Sequence, residues 1–302
     1  MVDRGPELSV KQSGFGGRGY KHPHTGQVVP GVTTITGSAH KPGLIQWVVD
    51  QTAAFAVANI DSLMNRSELQ GWGFLRWYHK RNPLPLEEGS DIRNFHIGVL
   101  NDAAELGTSM HEFIEADVDD TRAFPDTTFE PAAFHQMVPV WEQFKREHTI
   151  EPIFTEATVW HAELGYAGTF DGLWIIDGKI CLIDIKTSRN TWPEHFMQLA
   201  ALKNATKLVV KDEAGVWQEL DLAEWGIESV RIIHIRPDDT ENDGTPKPAY
   251  IEMIEAEDLD LHWQGFKGLL MYKTAERALQ VRRNEEKAAA RAAKKEEAKS
   301  QK

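Results

Sequence analysis

The amino-acid sequence predicts a mixed α/β protein in which a central sheet is flanked by helices, and three observations predict it. Apolar, β-branched runs at about 153–161, 168–176 and 179–187 follow one another across short polar breaks, as strands of one sheet do. Segments before and after them carry apolar residues at helical spacing. The last of the three runs is apolar on both faces, with Ile180 and Leu182 on one and Cys181, Ile183 and Ile185 on the other, which marks a strand buried inside a sheet.

Taken in order, residues 1–31 are rich in Gly and Pro, and His22-Pro-His-Thr-Gly26 reads as a turn between short strands rather than a metal site. Val32-Thr-Thr-Ile-Thr36 is β-prone, and Lys41-Pro-Gly opens an apolar, Ala-rich helix reaching about Ile60. The stretch 61–97 holds Trp72, Phe74, Trp77 and Tyr78, read as core packing in preference to a base-stacking platform. Asn101 to Val118 is helical, with Leu106, Met110, Phe113, Ile114 and Val118 near helical spacing and His111 among them; a second helix spans Pro131 to His148. After the three strand-like runs come a helix from about Pro193 to Lys207, strands at Val230–Ile235 and Ala249–Ile254, and a helix from Leu259 to Gln280. The Ala/Lys/Glu-rich remainder continues as helix or frays. This divides the chain into N-terminal strands and helices packed on the core (1–100), the core itself (101–256), and a C-terminal helix with a basic tail (257–302).

Composition narrows the function classes. A chain of 302 residues can bury a substantial core, and 33 Lys and Arg against 46 Asp and Glu argue against sequence-blind coating of nucleic acid while leaving room for a local basic groove. The charge is uneven, because Lys273 to Lys302 contain ten basic and five acidic residues. One cysteine, Cys181, excludes a disulfide framework, a Cys-ligated zinc and a four-cysteine iron-sulfur cluster within one chain. No apolar run approaches membrane-spanning length and no signal-peptide core is seen, so the expectation is a soluble protein of the cytoplasm.

The chemistry is concentrated in Tyr166-Ala-Gly-Thr-Phe-Asp171-Gly-Leu-Trp-Ile-Ile-Asp-Gly178-Lys-Ile-Cys-Leu-Ile-Asp184-Ile-Lys186. With Asp177-Gly178 as a two-residue turn, Ile176 faces Lys179 and, counting back, Asp171 faces Asp184. Side chains opposite one another project from one face with Cβ atoms roughly 4.5–5.5 Å apart. Lys186 shares that face, because strand side chains repeat every two residues. Two like charges so placed repel, and a carboxylate buried without a partner protonates or costs several kcal/mol, so a positive group belongs there. Oxygen ligands suit a hard divalent cation such as Mg2+, with Lys186 as a second positive charge aimed at an anionic substrate.

Gly168-Thr-Phe-Asp171-Gly followed by Leu182-Ile-Asp184-Ile-Lys186-Thr-Ser resembles the core motif of the PD-(D/E)XK nuclease superfamily, and the surroundings resemble its RecB-like exonuclease branch, including phage-borne and CRISPR-associated members. Gly107-Thr-Ser-Met-His111 matches that branch's upstream Gly-Thr-x-x-His, whose histidine is a metal ligand. Gln198 matches a glutamine on the helix after the lysine, while Leu202 replaces the tyrosine usual four residues later. Val32-Thr-Thr-Ile and Lys41-Pro-Gly-Leu-x-x-Trp47 complete the likeness, which covers roughly residues 20 to 205. The iron-sulfur cluster of many CRISPR-associated members has no ligands here.

The resemblance implies a PD-(D/E)XK, restriction-endonuclease-like core and a metal-dependent deoxyribonuclease, an exonuclease of phage recombination or DNA processing acting in the host cytoplasm. Asp171, Asp184, the carbonyl of Ile185 and His111 would hold one or two Mg2+ or Mn2+ ions, with Lys186 orienting or helping to deprotonate the attacking water. Glu156 is open between support of the metal from outside its ligand sphere and a solvated strand position. His195 shares a helix face with Gln198 and is read as a surface residue. DNA, with free ends, is the expected partner, along with phage recombination or replication proteins and a possible oligomer. The competing readings are a structure-specific or restriction-type endonuclease on the same site and an inactive DNA-binding or assembly protein.

Overall fold

The computed structural model describes residues 8–10, 16–70, 95–120, 122–128, 130–241 and 244–300, so the aromatic cluster expected around Trp72 to Tyr78 lies outside the described residues. Residues through 39 and from 110 onward make one compact unit; residues 40–109 make a second. The second unit holds the helices α2 (Pro42–Ala58) and α3 (Ile60–Gln70) and the first turns of α4 (Phe95–Val118). Pro42 sits at the first turn of α2, where its missing N–H costs nothing, and the Asn59 side chain closes the other end by donating to the Phe55 carbonyl at 2.9 Å.

The first unit is built on seven strands in the order β12-β9-β6-β5-β4-β7-β8. These are β4 (Ile150–His161), β5 (Tyr166–Ile176), β6 (Lys179–Lys186), β7 (Lys207–Lys211), β8 (Trp217–Asp221), β9 (Ser229–Arg236) and β12 (Tyr250–Glu255). Only β6 and β9 run parallel; every other neighbouring pair in this sheet is antiparallel. Three short strands, β1 (Ser9–Val10), β2 (Gly19–Lys21) and β3 (Val28–Pro30), form a second sheet, and β10 (Asp239–Thr240) pairs with β11 (Pro246–Lys247). Helices α1 (Val32–Thr36), α5 (Ala132–Glu147), α6 (Pro193–Lys203) and α7 (Leu259–Ser300) complete the unit. It is the mixed α/β arrangement expected, a mostly antiparallel sheet flanked by helices. Among the described residues no helix is long and apolar enough to cross a membrane.

The β5–β6 hairpin has the register read from its turn: Ile176 faces Lys179 and the pairing runs to Gly172 opposite Ile183. Asp177 and Gly178 both take positive φ, 50° and 80°, the backbone of a two-residue turn whose twist suits the flanking strands. Phe170, Leu173, Leu182, Leu199 and Leu202 are all fully buried in the core, joined by Phe266 and Leu270 of α7. Two glycines bracket Asp171. A Cβ on Gly172 would come within 2.3 Å of the Trp174 ring, and one on Gly168 within 2.7 Å of Leu202, so both positions accept nothing larger.

Two expectations are corrected, and one strand is unanticipated. Val32–Thr36 is a helix, not a strand, because Val32 and Ile35 are one turn apart and both bury in the core, and that packing outweighs the preference of β-branched residues. The helix opened by Pro193 stops at Lys203: Asn204 donates its side-chain amide to the Ala200 carbonyl at 2.9 Å, and Leu208, Val209 and Val210 then bury as β7 against β4. The polar Trp-Gln-Glu-Leu-Asp of β8, a sheet-edge strand with little apolar alternation, gave no strand signal.

A candidate metal and catalytic centre

The site lies where the β5–β6 ladder runs out. Beyond the Gly172–Ile183 pair the next residues are Asp171 and Asp184, and the Asp171 carboxylate takes over the work of the backbone by accepting the Ile185 N–H at 2.6 Å through Oδ2. The same oxygen lies 3.5 Å from Nδ1 of His111, carried in on α4. Asp184 is 1% exposed; its Oδ2 pairs with Lys186 Nζ at 2.5 Å and its Oδ1 accepts the Gln198 amide at 3.1 Å from α6. Asp171, Asp184, Lys186, His111 and Gln198 are thus brought together. The contact seen at Ile185 is made by its amide.

The third strand extends the row. Thr155 pairs with Gly172 and Ala157 with Phe170, so Glu156 stands level with Asp171 as Asp171 stands level with Asp184. Glu156 has φ 53°, a conformation that costs a side-chain-bearing residue of order 1 kcal/mol or more, and persists only where surrounding contacts hold it. One such contact is Arg122, whose Nη2 lies 3.0 Å from Glu156 Oε2. The other amino group of Arg122 grips Glu115 Oε2. Chain reversal after α4 brings the guanidinium there, through Asp119 N–H to Glu115 O at 3.0 Å and Arg122 N–H to Asp119 O at 2.9 Å.

Glu115 and Arg122 are the site residues that sequence reasoning missed. A signal for Glu115 existed, since it follows His111 by four residues and therefore shares its helix face. Ligating atoms of His111, Glu115 and Asp171 all lie within 4.8 Å of one another. His195 is engaged locally: its Nδ1 accepts the Trp192 N–H at 3.3 Å at the start of α6. His22 is likewise tied into its own turn, its Nδ1 accepting the N–H groups of His24 and Thr25. Leu202, where a tyrosine stands in the resembled branch, is wholly buried in the core.

The protonation preferences follow from these contacts. Burial raises the Asp184 carboxyl and the Asp171 charge adds to it, against the pull of Lys186, leaving it pushed up to about 6. Asp171 is also raised by burial, but His111, Lys186 and the Ile185 N–H outweigh this and hold it below the usual carboxylate range. Burial disfavours charge on His111 and on Lys186, yet both are raised, His111 by Asp171 and Lys186 by Asp184 and Asp171. Glu115, desolvated and facing Glu156 and Asp171 with Arg122 in partial compensation, is pushed up to about 8.

The donor set answers what could be held there. Carboxylate oxygens and one imidazole, with no thiolate, match Mg2+ or Mn2+ rather than a soft ion. Burial is the chief reason that Asp184 and Glu115 are raised, and a divalent ion beside them would favour their ionised forms.

No protein-family model matches the chain, and no curated protein sequence does. Among solved structures, the crystal structure of LHK-Exo in complex with dAMP is similar at a TM-score of 0.32 and 16% identity, over 63% of this chain and 91% of that one. The crystal structure of an alkaline exonuclease (LHK-Exo) from Laribacter hongkongensis is similar at a TM-score of 0.31 and 17% identity, over 61% of this chain and 85% of that one. These likenesses are loose, and it is the side-chain geometry that bears on function.

Proposed function

We propose that the protein is a divalent-metal-dependent deoxyribonuclease, an exonuclease acting on DNA ends in phage recombination or DNA processing. The observation that carries the reading is the convergence of Asp171, Asp184 and Lys186 from paired strands with His111 from α4. Asp171, Asp184, His111 and the Ile185 carbonyl are the groups that would hold Mg2+ or Mn2+. Once bound, such an ion offsets phosphodiester charge and makes water easier to deprotonate.

The chain's own residues supply the rest. Lys186, a compact charge held by Asp184, orients the attacking water and stabilises the charge that builds on phosphate oxygens. Gln198 fixes the rotation of the Asp184 carboxylate by donating to Oδ1, and the Ile185 N–H does the same for Asp171. An acidic protein also needs a place for the phosphate backbone. Arg189, Arg236, Lys247 and Tyr250 line a cleft beside the segment that leaves β6, with Asp239 and Glu241 paired to those cations, and Arg236 donates to the Thr187 carbonyl. Lys247 sits 4.6 Å from the Tyr250 ring centre, so cations and an aromatic face adjoin there.

Digestion of linear, nicked and circular DNA with Mg2+ or Mn2+ tests this, with Lys186→Ala alongside. Linear DNA should be degraded by the wild type and left at least about a thousandfold slower by the variant. Equal inertness of both proteins on every substrate would end the nuclease reading, and cleavage of closed circles would replace exonuclease by endonuclease.

A further inference from the structure

We infer that Arg122 fills the place of a second cation in this centre, so that the protein takes up one divalent ion and not two. This rests on the metal reading given above and adds to it a count and the residue responsible.

Charge sets the count. Arg122 bridges Glu115 and Glu156, Lys186 pairs with Asp184 and His111 with Asp171, and ligating atoms of Glu115, His111 and Asp171 lie within 4.8 Å of one another, so the four carboxylates form one cluster. A ligating histidine is neutral. With an ion bound and all four carboxylates ionised, Lys186 and Arg122 neutralise two of the four negative charges, and the remaining two match a single divalent ion. Charges largely removed from water tolerate little imbalance.

Geometry assigns Arg122 its place. Its planar guanidinium spans Glu115 and Glu156 with one amino group on each, so a single positive charge serves both. The side chain is 18% exposed and its Nε has no protein acceptor among the described residues, so the two carboxylates are what fix it. It also holds Glu156 in its left-handed conformation, beside the Asp171 that Glu156 would otherwise join as a ligand to another ion. Arg122 touches no reacting atom in this scheme and acts as a positioning residue.

Counting bound Mn2+ in the full chain, by calorimetric titration and by the loss of free-ion paramagnetic resonance signal, tests the assignment without any catalytic readout. The wild type should bind one ion. Arg122→Gln should bind a second, at least about tenfold weaker than the first, and Arg122→Lys, which keeps the charge, should return to one. Two ions on the wild type, or one on a folded Arg122→Gln, overturns the inference while leaving the metal reading standing. No binding by the wild type overturns both. If circular dichroism shows Arg122→Gln unfolded, Glu156→Gln decides: with Glu156 held by Arg122, the single ion should bind within about threefold of wild type, and a loss of a hundredfold would make Glu156 a ligand and sink the assignment.

Discussion

The two halves of the acidic cluster solve the same electrostatic problem differently. On the hairpin side, Asp171 and Asp184 face each other with Lys186 between them in charge, and the two carboxyls are displaced in opposite directions, Asp171 downward and Asp184 up to about 6. On the helix side, Glu115 and Glu156 are bridged by one guanidinium, with Glu115 pushed up to about 8. On the hairpin side Lys186 pairs with Asp184, while an amide at 2.6 Å and a glutamine at 3.1 Å orient the two carboxylates. On the helix side one guanidinium is shared between two carboxylates. The difference lies in how the carboxylates are held, one by one on the hairpin side and as a bridged pair on the helix side.

The largest effects should come from the hairpin side. Asp171→Asn or Asp184→Asn is expected to slow DNA hydrolysis by at least about a thousandfold, against less than about tenfold for Glu156→Gln, all in single-turnover assays with saturating Mn2+. Equal losses would erase the distinction between the two halves.

Next in size is stability in the metal-free protein. Glu115 has an ordinary value of 4.5 unfolded and about 8 folded, so the folded state keeps a proton that the unfolded state has released. Its contribution is therefore complete below about pH 4.5 and disappears as pH rises through 8. Glu115→Gln should raise stability near pH 8, by on the order of 2–4 kcal/mol, and leave it nearly unchanged near pH 4. Denaturant melts in EDTA at the two pH values measure it; a gain of the same size at both would show that the effect is packing and not ionisation.

A smaller effect is expected at Gln198. Removing its amide by Gln198→Ala frees the Asp184 carboxylate to rotate, which should weaken Mn2+ binding by about tenfold, the lower end for loss of a group that orients a ligand. Unchanged binding would mean that the Lys186 ion pair alone holds Asp184 in place.

What could be read from sequence divides along the same line. Asp171, Asp184 and Lys186 follow from a two-residue turn and a period of two, both local rules, and the register they give is the one observed. Gln198 and His111 came from motif order, and their contacts with Asp184 and Asp171 depend on how two helices dock on the sheet. Arg122 was beyond reach, because its place depends on a chain reversal whose hydrogen bonds to Glu115 and Asp119 leave no mark in composition or periodicity. Val32–Thr36 failed for a related reason: five β-branched or small residues carry a strand preference that burial against the core reverses.

The bare backbone at Gly172 reaches further than its size suggests. Trp174 occupies the space its methyl would need, and the neighbouring residue in the chain is the acid that accepts the Ile185 amide. A mutation there would leave every functional group present and yet shift the aim of one of them. Drift at that position is thus closed by steric exclusion, and an inactive variant could arise from exchanging one hydrogen for a methyl group on a residue that has no side chain to do chemistry with.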